Sequence, residues 1–193
     1  MKNHLLIAAL VLAACSRQPA PEAAPQAETP TLNLTIGPGG AAGITSAIAM
    51  TTAAVSAAAP GFVVAEAQDQ IEGDTFTKIT LSADGAVVFD VLPNAERTAV
   101  HSIETASPRA IGPAGERIGA LFGDAPAAEV LFCVTPEQHA AYDFACSTAA
   151  DGRFWRGYDL PDSYVGPRAP FEDIDADAAV RATLVEMRWV APG

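Results

Sequence analysis

Residues 75–92 read TFTKITLSADGAVVFDVL, two stretches rich in Thr, Val, Ile and Phe that meet at Asp84-Gly85. β-branched and aromatic residues favour strands, and a glycine-containing turn between two such stretches is typical of a hairpin. The sequence therefore predicts strands over Thr75–Ser82 and Ala86–Leu92, joined by the turn in SADGAVV (82–88). This hairpin indicates β structure, and the sequence on both sides of it has the same strand-like character.

Short strand-like stretches continue on both sides of this hairpin. Upstream, LNLTI (32–36) alternates apolar and polar residues and then stops at Gly37-Pro38-Gly39-Gly40. At the C-terminal end, LVEMRWV (184–190) alternates with period two, so that 184, 186 and 188 share one face and 185, 187 and 189 the other. Further strands are predicted over Phe62–Gln68, Arg97–Ala106, Val130–Val134, Phe144–Ser147 and Phe154–Tyr158.

Two segments favour helices. Residues 44, 48, 51 or 52, 55 and 58 fall on one helical stripe, with Thr45 or Ser46 available as N-cap and Pro60-Gly61 at the end. A second, short helix is predicted over Ile118–Phe122. Many strands with one longer N-terminal helix and one short helix predict a mainly β domain, either β-sandwich-like or a β-rich α+β fold.

The N-terminal residues are typical of an export signal rather than of a folded element. Lys2 is followed by eight apolar residues, Leu5 to Leu12, which are too few for the roughly 20 that cross a bilayer. The run ends in Leu12-Ala13-Ala14-Cys15, which resembles a bacterial lipobox. We therefore predict a signal peptide over 1–14 and lipidation of Cys15; the alternative is an ordinary secretory signal that contains a cysteine.

A lipidated Cys15 would carry at least two acyl chains, such as palmitate, and two chains are what stable anchoring requires. Ser16 rather than Asp in the next position resembles the sorting pattern of enteric lipoproteins, which implies the outer membrane with the protein facing the periplasm. Residues 15–31 contain four prolines and no large apolar residue, so we expect a flexible tether. The remaining residues, 32–193, are enough for a single globular domain.

Charge and cysteine content agree with an envelope protein. The formal charge is −12, and removing 1–14 takes away Lys2 and no acidic residue, which gives −13. Such a surface repels phosphate backbones, so no nucleic-acid partner is expected. With Cys15 lipidated, Cys133 and Cys146 form an even pair, which predicts a disulfide in an oxidising compartment. The stretch CVTPEQHAAYDFAC (133–146) is interpreted as a hairpin that this bridge staples, rather than a redox-active or zinc-binding pair.

No catalytic, cofactor-binding or metal-binding set is predicted from the motifs. Asp173, Asp175 and Asp177 begin like a calcium loop, but Ala178 and Leu184 occupy positions that need Gly and Glu, so an acidic loop or helix start is favoured. The serines lie in no nucleophile elbow, and GPGGAAG (37–43) lacks the ending of a phosphate loop. Isolated or unoriented candidates are His101, His139, the carboxylates Asp159 and Asp162, and the aromatic residues Trp155, Tyr158 and Tyr164.

Several features occur in a recognisable order: GDTFTKITLSADG (73–85), HSIETASPRAIGPAGERIGALFG (101–123), the two cysteines, FWRGYDLPD (154–162) and VEMRWVAP (185–192). The most specific parts are Gly115-x-Arg117-Ile118-Gly119-x-x-Phe122 and the late Arg188-Trp189. Together they resemble the RpoE-regulated lipoproteins of Gram-negative bacteria, a family defined by a domain of unknown function. The resemblance implies an envelope lipoprotein with a mainly β fold and a link to envelope stress, and it supplies no catalytic residues.

Two main classes of function remain open at this point. The favoured hypothesis is a non-enzymatic lipoprotein that binds an envelope protein or another envelope component through its β domain. The alternative is an enzyme or small-ligand carrier with a pocket near His101, Trp155 and Tyr158. A purely structural envelope protein is a third possibility.

Overall fold

The computed structural model describes residues 31–71, 73–126, 132–136, 141–148 and 152–193. The α-helices are α1 (Thr52–Ala58) and α2 (Ala176–Ala179), and short 3-10 helices cover Phe122–Asp124 and Phe171–Asp173. The strands are β1 (Ile36–Gly37), β2 (Gly40–Ala41), β3 (Val63–Ile71), β4 (Asp74–Ala83), β5 (Ala86–Pro93), β6 (Val100–Thr105), β7 (Phe132–Val134), β8 (Phe144–Ser147), β9 (Phe154–Asp159) and β10 (Thr183–Val190).

Eight of these strands form one antiparallel sheet in the order β3-β4-β5-β6-β10-β9-β8-β7, and β1 and β2 form a separate hairpin. The sheet has two meanders, β3 to β6 and β7 to β9. The last strand of the chain, β10, lies between them and pairs with β6 on one side and β9 on the other. The predicted mainly β class is confirmed, as one large sheet with a small hairpin and short helices.

The hairpin of residues 75–92 is confirmed as β4 and β5. Asp84 and Gly85 have φ angles of 53° and 79°, so both central turn residues are left-handed. This geometry is typical of a two-residue turn whose twist matches that of the strands, and it favours Asp-Gly. The local sequence therefore accounts for both the turn and the pairing of the two strands.

One face of the sheet carries the core, and we call it the core face. A row of directly opposed residues crosses five strands: Ile79, Val91, Ile103, Trp189 and Phe154. Each of these side chains is at most 2% exposed. The alternation of side chains along each strand sends these five to the same side, where they form one apolar layer.

The β1–β2 hairpin, α1 and the two 3-10 helices pack on this core face. The indole Nε1 of Trp189 donates to the carbonyl of Pro38 over 3.0 Å, which fixes the β1–β2 hairpin against β10. Val55 of α1 is fully buried in the same core. At the other end, the Phe122 and Phe171 rings pack against Phe144 at centroid distances of 5.4 and 5.0 Å.

The N-terminal helix exists but is shorter than predicted. It begins after Thr51, whose side chain caps it, and not after Thr45 or Ser46. Residues 44–50 lie in turns and bridges, and Met50 N donates to the carbonyl of Thr98 over 3.0 Å. Apolar periodicity could not reveal this pairing, because the hydrogen bonds come from a distant segment.

Two other element boundaries also differ from the predictions because of long-range pairing. Of LNLTI, only Ile36 belongs to a strand, and the following Gly-Pro-Gly-Gly forms the β1–β2 turn. The short helix predicted over Ile118–Phe122 starts at Phe122 instead. Gly119 N donates to the Leu184 carbonyl, and Leu184 N donates to that of Ala120, both over 2.8 Å, so these residues pair with β10.

The C-terminal strand is confirmed, but one residue changes face. The register of β10 against β9 shifts between Leu184 and Glu186, which leaves Val185 as a bulge. Leu184 is therefore buried on the same side as Met187 and Trp189, and not on the face of Glu186 as strict alternation predicts. The bulge turns Glu186 and Arg188 together onto the opposite face of the sheet.

The predicted disulfide is confirmed. Cys133 and Cys146 are directly opposed on β7 and β8, with their Cα atoms 4.1 Å apart, and their sulfurs are bonded. A bridge across a loop of this size stabilises the fold by about 3 kcal/mol in the chain-entropy model. It fastens the edge strand β7, which has three residues, to the rest of the sheet.

Candidate functional site

A row of polar side chains crosses the face of the sheet opposite to the core face. The register places Thr80 opposite Asp90, Asp90 opposite Glu104, Glu104 opposite Arg188, and Arg188 opposite Trp155. Directly opposed residues point to the same side, so these side chains are neighbours on one surface. We call this surface the charged face.

Two carboxylates, those of Asp90 and Glu104, stand directly opposite each other on β5 and β6. Like charges in that position destabilise a sheet unless cations lie beside them. Lys78 supplies one cation: its Nζ lies 3.0 Å from Asp90 Oδ2 and 2.9 Å from Asp69 Oδ2. The other oxygen of Asp90, Oδ1, is buried and has no hydrogen-bond partner among the described residues.

Arg188 supplies the second cation. Its Nε lies 3.0 Å from Glu104 Oε1, and its Nη2 lies 3.2 Å from Glu186 Oε1. The Glu186 and Glu104 side chains are only 14% and 23% exposed, so these charges are largely removed from water. A carboxylate on each side thus holds the guanidinium in place at the centre of the charged face.

Burial changes the proton affinity of these groups. It raises the pKa of Glu104 and of Glu186 above the usual range, although the charge of Arg188 opposes the change. Burial alone would lower the pKa of Arg188, but the charges of Glu104 and Glu186 outweigh it and raise the pKa instead. Half-buried charges with perturbed pKa values are costly for stability, and they are enriched at functional sites.

Two depressions adjoin this row. The larger is a cleft of about 650 Å³ whose lining includes Phe76, His101, Glu104 and Arg188. The other is a groove of about 410 Å³ lined by three carboxylates of the row, Asp90, Glu104 and Glu186, together with Val87 and Pro108. Glu104 lines both, so the two depressions form neighbouring parts of one surface.

The groove favours a cationic group over an anionic one. Three carboxylates face it, and Arg188 forms ion pairs with two of them, Glu104 and Glu186. A basic side chain of a partner would meet the negative charge of Asp90, whose side chain is 31% exposed and lines the groove. The apolar side chain of Val87, which is 51% exposed, offers a contact beside it.

The residues of the alternative pocket hypothesis do not share a cavity within the described part of the chain. His101 is exposed on the rim of the cleft. Trp155 lies on the charged face beside Phe132, with its Nε1 donating to the Gly152 carbonyl over 2.6 Å. Tyr158 lies on the core face, 2% exposed, so the sheet separates it from the other two.

The acidic candidates have local structural roles. Asp175 caps α2 by accepting a hydrogen bond from Ala178 N over 3.0 Å, which agrees with the interpretation of this stretch as a helix start. Asp159 and Asp162 line a shallow surface pocket with Arg168, where burial and the charge of Asp143 raise the pKa of Asp159. In the described ranges, no three His, Cys, Asp or Glu side chains are placed to hold a metal ion.

Residues 1–30, which include the predicted signal peptide, Cys15 and the tether up to residue 30, lie outside the described residues, as does His139. Within the residues that are described, no helix is long and apolar enough to span a membrane.

Sequence reasoning missed Glu104 and Arg188 as members of one site. One signal in the sequence could have drawn attention to them. Each of the two charged residues lies within a strand, between two residues that are buried. That signal marks both residues as unusual, but it does not show that their strands are neighbours in the sheet.

Comparisons with known proteins bear on the fold. No family model and no curated protein matches the chain. Among solved structures, it is similar to the uncharacterized protein YfeY from Escherichia coli, with a TM-score of 0.59 and 13% sequence identity. The similarity covers 81% of this chain and 99% of that one. At this identity the likeness shows a common fold.

Replacing Glu104 with Gln will change how stability depends on pH. Because the pKa of Glu104 is raised in the folded state, its contribution to the free energy of unfolding is fully present below the ordinary pKa of 4.5 and is lost as pH rises through the folded value. The Gln side chain does not titrate, so the variant has no corresponding loss of stability as pH rises. The free energy of unfolding of the wild type minus that of the variant should therefore fall as pH rises above the ordinary pKa of 4.5.

Urea unfolding at several pH values measures this difference. Arg188, Asp90 and Lys78 face the Glu104 carboxyl in both proteins, so their charges are present in either case. Glu96→Gln, at an exposed loop position, is the matched control for the substitution itself. A difference for Glu104→Gln that is constant or rises with pH would contradict the raised pKa of the Glu104 carboxyl.

Proposed function

We propose that this chain is a lipid-anchored protein of the bacterial cell envelope, a member of the RpoE-regulated lipoprotein family, that binds a basic segment of another envelope protein. Binding takes place on the charged face and involves no catalysed reaction. The observation that carries this proposal is the row of half-buried charges, Asp90, Glu104 and Arg188, between two open depressions.

The energetics of the row support a binding role. Removing a carboxylate from water costs several kcal/mol unless ion pairs offset it, and apolar residues at the same positions are often equally stable. Stability alone therefore gives no reason to keep four carboxylates and two cations here. A partner that supplies a further cation would complete the compensation at Asp90, where one buried oxygen lacks a hydrogen bond.

The charge balance supports a basic partner. Asp69, Asp90, Glu104 and Glu186 contribute four negative charges to the charged face, and Lys78 and Arg188 contribute two positive ones. The whole chain is also acidic, with a formal charge of −12. Complementary charge speeds association and selects partners more than it adds affinity, so we expect binding that weakens as salt concentration rises.

The predicted anchor and tether support the location. Sixteen residues, Ser16 to Thr31, separate the predicted lipidated cysteine from the globular domain. A proline-rich segment of this length reaches up to about 50 Å at about 3.1 Å per residue. The domain would then be free to turn its charged face toward proteins in the periplasm.

The family assignment rests on two kinds of support. The ordered features between residues 73 and 192 resemble the family, and its implied mainly β fold agrees with the sheet described above. The structural similarity to YfeY from Escherichia coli agrees with that mainly β fold. At 13% sequence identity, this similarity concerns the fold alone.

Changing Cys15 to Ala tests the anchor. The variant has no thiol for acylation, so we expect it to lose labelling by radioactive palmitate and to change its mobility on a reducing gel. Cys133→Ser with Cys146→Ser is the matched control, since it removes the other two cysteines and should keep the label. Unchanged labelling and mobility of the Cys15 variant would contradict lipidation at this residue.

Site-directed crosslinking in intact cells tests the charged face. A photoreactive residue at His101, which is exposed at the cleft, should give one reproducible protein adduct. The adduct should be lost when Glu104 and Glu186 are both changed to Gln and should be weaker at high salt. Asp162→Asn with Asp177→Asn is the control, because these exposed carboxylates lie away from the row.

A second photoreactive residue at Val165, which is 98% exposed, reports contacts away from the charged face. The same adduct with the same yield from Val165, or persistence of the His101 adduct in the Glu104/Glu186 variant, would contradict binding at the charged face. Absence of any protein adduct at His101 would contradict a protein partner.

A further inference from the structure

The long edge strand of the sheet has one side without a neighbouring strand. Among the described strands, β3 is the outermost and pairs with β4 alone, over 9 residues and without a shift of register. The opposite edge strand, β7, has three residues and is fastened by the disulfide. An open edge presents backbone donors and acceptors to a further strand, and proteins often block it with Pro, Lys or a bulge. The sequence of β3 contains neither Pro nor Lys.

Two hydrogen bonds show which backbone groups of β3 point outward. The Ala65 carbonyl accepts a hydrogen bond from the Thr80 hydroxyl of β4 over 3.3 Å, so the backbone of Ala65 faces β4. The Gln70 N–H donates to the adjacent Asp69 carboxylate over 2.8 Å, which agrees with an outward direction at Gln70. Backbone groups of successive residues in a strand point to alternate sides. The residues whose N–H and C=O point away from β4, with no partner in the described part of the chain, are therefore Val64, Glu66 and Gln68.

This open stretch is accessible and has a defined end. Glu66 and Gln68 are exposed, so solvent reaches the edge at both residues. Asp69 closes the C-terminal end, because one of its oxygens accepts the Gln70 N–H and the other lies 2.9 Å from Lys78 Nζ. An added strand would thus pair with the residues before Asp69, and not with the whole length of β3.

The side chains along the edge select the kind of strand that fits. Ala65 and Ala67 lie on the charged face, opposite Thr80 and Lys78, and their small side chains leave room for larger neighbours. Glu66 lies on the other face and is exposed. Successive residues of an added strand would also point to alternate faces. Its apolar residues would contact the two alanines, and its basic residues would lie beside Glu66.

A second copy of this chain fits the edge poorly. β3 carries two acidic residues, Glu66 and Asp69, and no basic residue, so two paired β3 strands would bring four carboxylates together. Each chain also has a formal charge of −12. Like charges on neighbouring strands destabilise their pairing, and opposite charges stabilise it. Charge complementarity therefore favours a basic strand from a different protein.

We propose that β3 is a docking edge for an extended segment of a partner protein, which adds to the sheet as a further strand and alternates basic with apolar residues. In this mode of recognition, backbone hydrogen bonds supply affinity and alternate side chains supply specificity. The edge is distinct from the groove and the cleft. Glu104, which lines both, is on β6, three strands from β3, or about 14 Å at about 4.8 Å per strand.

A peptide tests the edge in the full-length chain in detergent. The probe is a heptapeptide of alternating lysine and valine with blocked ends, and the acidic control peptide has glutamate in place of each lysine. Because of the carboxylates on β3, we expect the lysine peptide to bind about tenfold more tightly.

Hydrogen exchange shows where the lysine peptide binds. At a peptide concentration that leaves about one chain in ten free, the Glu66 and Gln68 amides should exchange about tenfold more slowly. The amide of Val165, which is 98% exposed, is the control and should keep its rate.

Two variants of Gln68 separate the backbone from the side chain. Gln68→Pro removes an outward N–H and Gln68→Ala keeps it, whereas both lose the side-chain hydrogen bond to Thr77. Pro is tolerated in an edge strand where its nitrogen faces solvent, so pairing with β4 should persist. We expect Gln68→Pro to bind the lysine peptide about fivefold more weakly than Gln68→Ala, which corresponds to the loss of one hydrogen bond.

Glu66→Lys tests the charge without changing the hydrogen-bonding groups of the backbone. The variant replaces an attraction by a repulsion, so its preference for the lysine peptide over the glutamate peptide should fall about fivefold. If Gln68→Pro does not fold, this variant and the exchange rates decide.

Four results would overturn the proposal. They are equal affinity of the two Gln68 variants, unchanged exchange of the Glu66 and Gln68 amides, an unchanged preference in Glu66→Lys, and equal binding of the lysine and glutamate peptides by the wild type. Protection of the same amides without peptide, rising with protein concentration, would assign the edge to a second copy instead.

Discussion

The position of β10 is the constraint on which the rest of the structure depends. The last strand of the chain pairs with β6 through Met187–Val190 and with β9 through residues between Thr183 and Trp189, so it joins two meanders that otherwise share no strand. Trp189 completes the apolar row on one side of β10 and holds the β1–β2 hairpin through Pro38. Folding of the two halves into one sheet must therefore wait for the C-terminal residues, which makes the topology rich in long-range contacts.

The same strand creates the charged face. The bulge at Val185 turns Glu186 and Arg188 away from the core, and the register with β6 then sets Arg188 opposite Glu104. Without that pairing, Glu104 and Asp90 would be adjacent carboxylates compensated only by Lys78. The same strand therefore positions the charges that we assign to partner binding and completes the core. The proposed binding surface lies where β10 is held by neighbouring strands on both sides.

Local sequence predicted the features whose causes are local. Adjacent residues specify the Asp84-Gly85 turn, and the Cys133–Cys146 bridge follows from an even pair of cysteines within one short stretch of sequence. The neighbours of β10 could not be predicted, since alternation tells which face a residue occupies and not which strand lies beside it. The bulge at Val185, the start of α1 after Thr51 rather than after Thr45 or Ser46, and the pairing of Glu104 with Arg188 all follow from contacts between segments that are distant in the chain. Tyr158 is an aromatic candidate in the sequence, but only the packing shows that it is buried on the core face and lines a cavity there.

Hydrogen exchange of the backbone amides tests the central position of β10 most directly. Residues 187–190 have a neighbouring strand on both sides, so we predict that their amides exchange as slowly as those of 102–105 in β6, through global unfolding alone. Amides of the edge strand β3 that do not face β4 should exchange much faster. Rapid exchange of 187–190 while β6 remains protected would show that β10 is not the central strand and would remove the basis for the charged face.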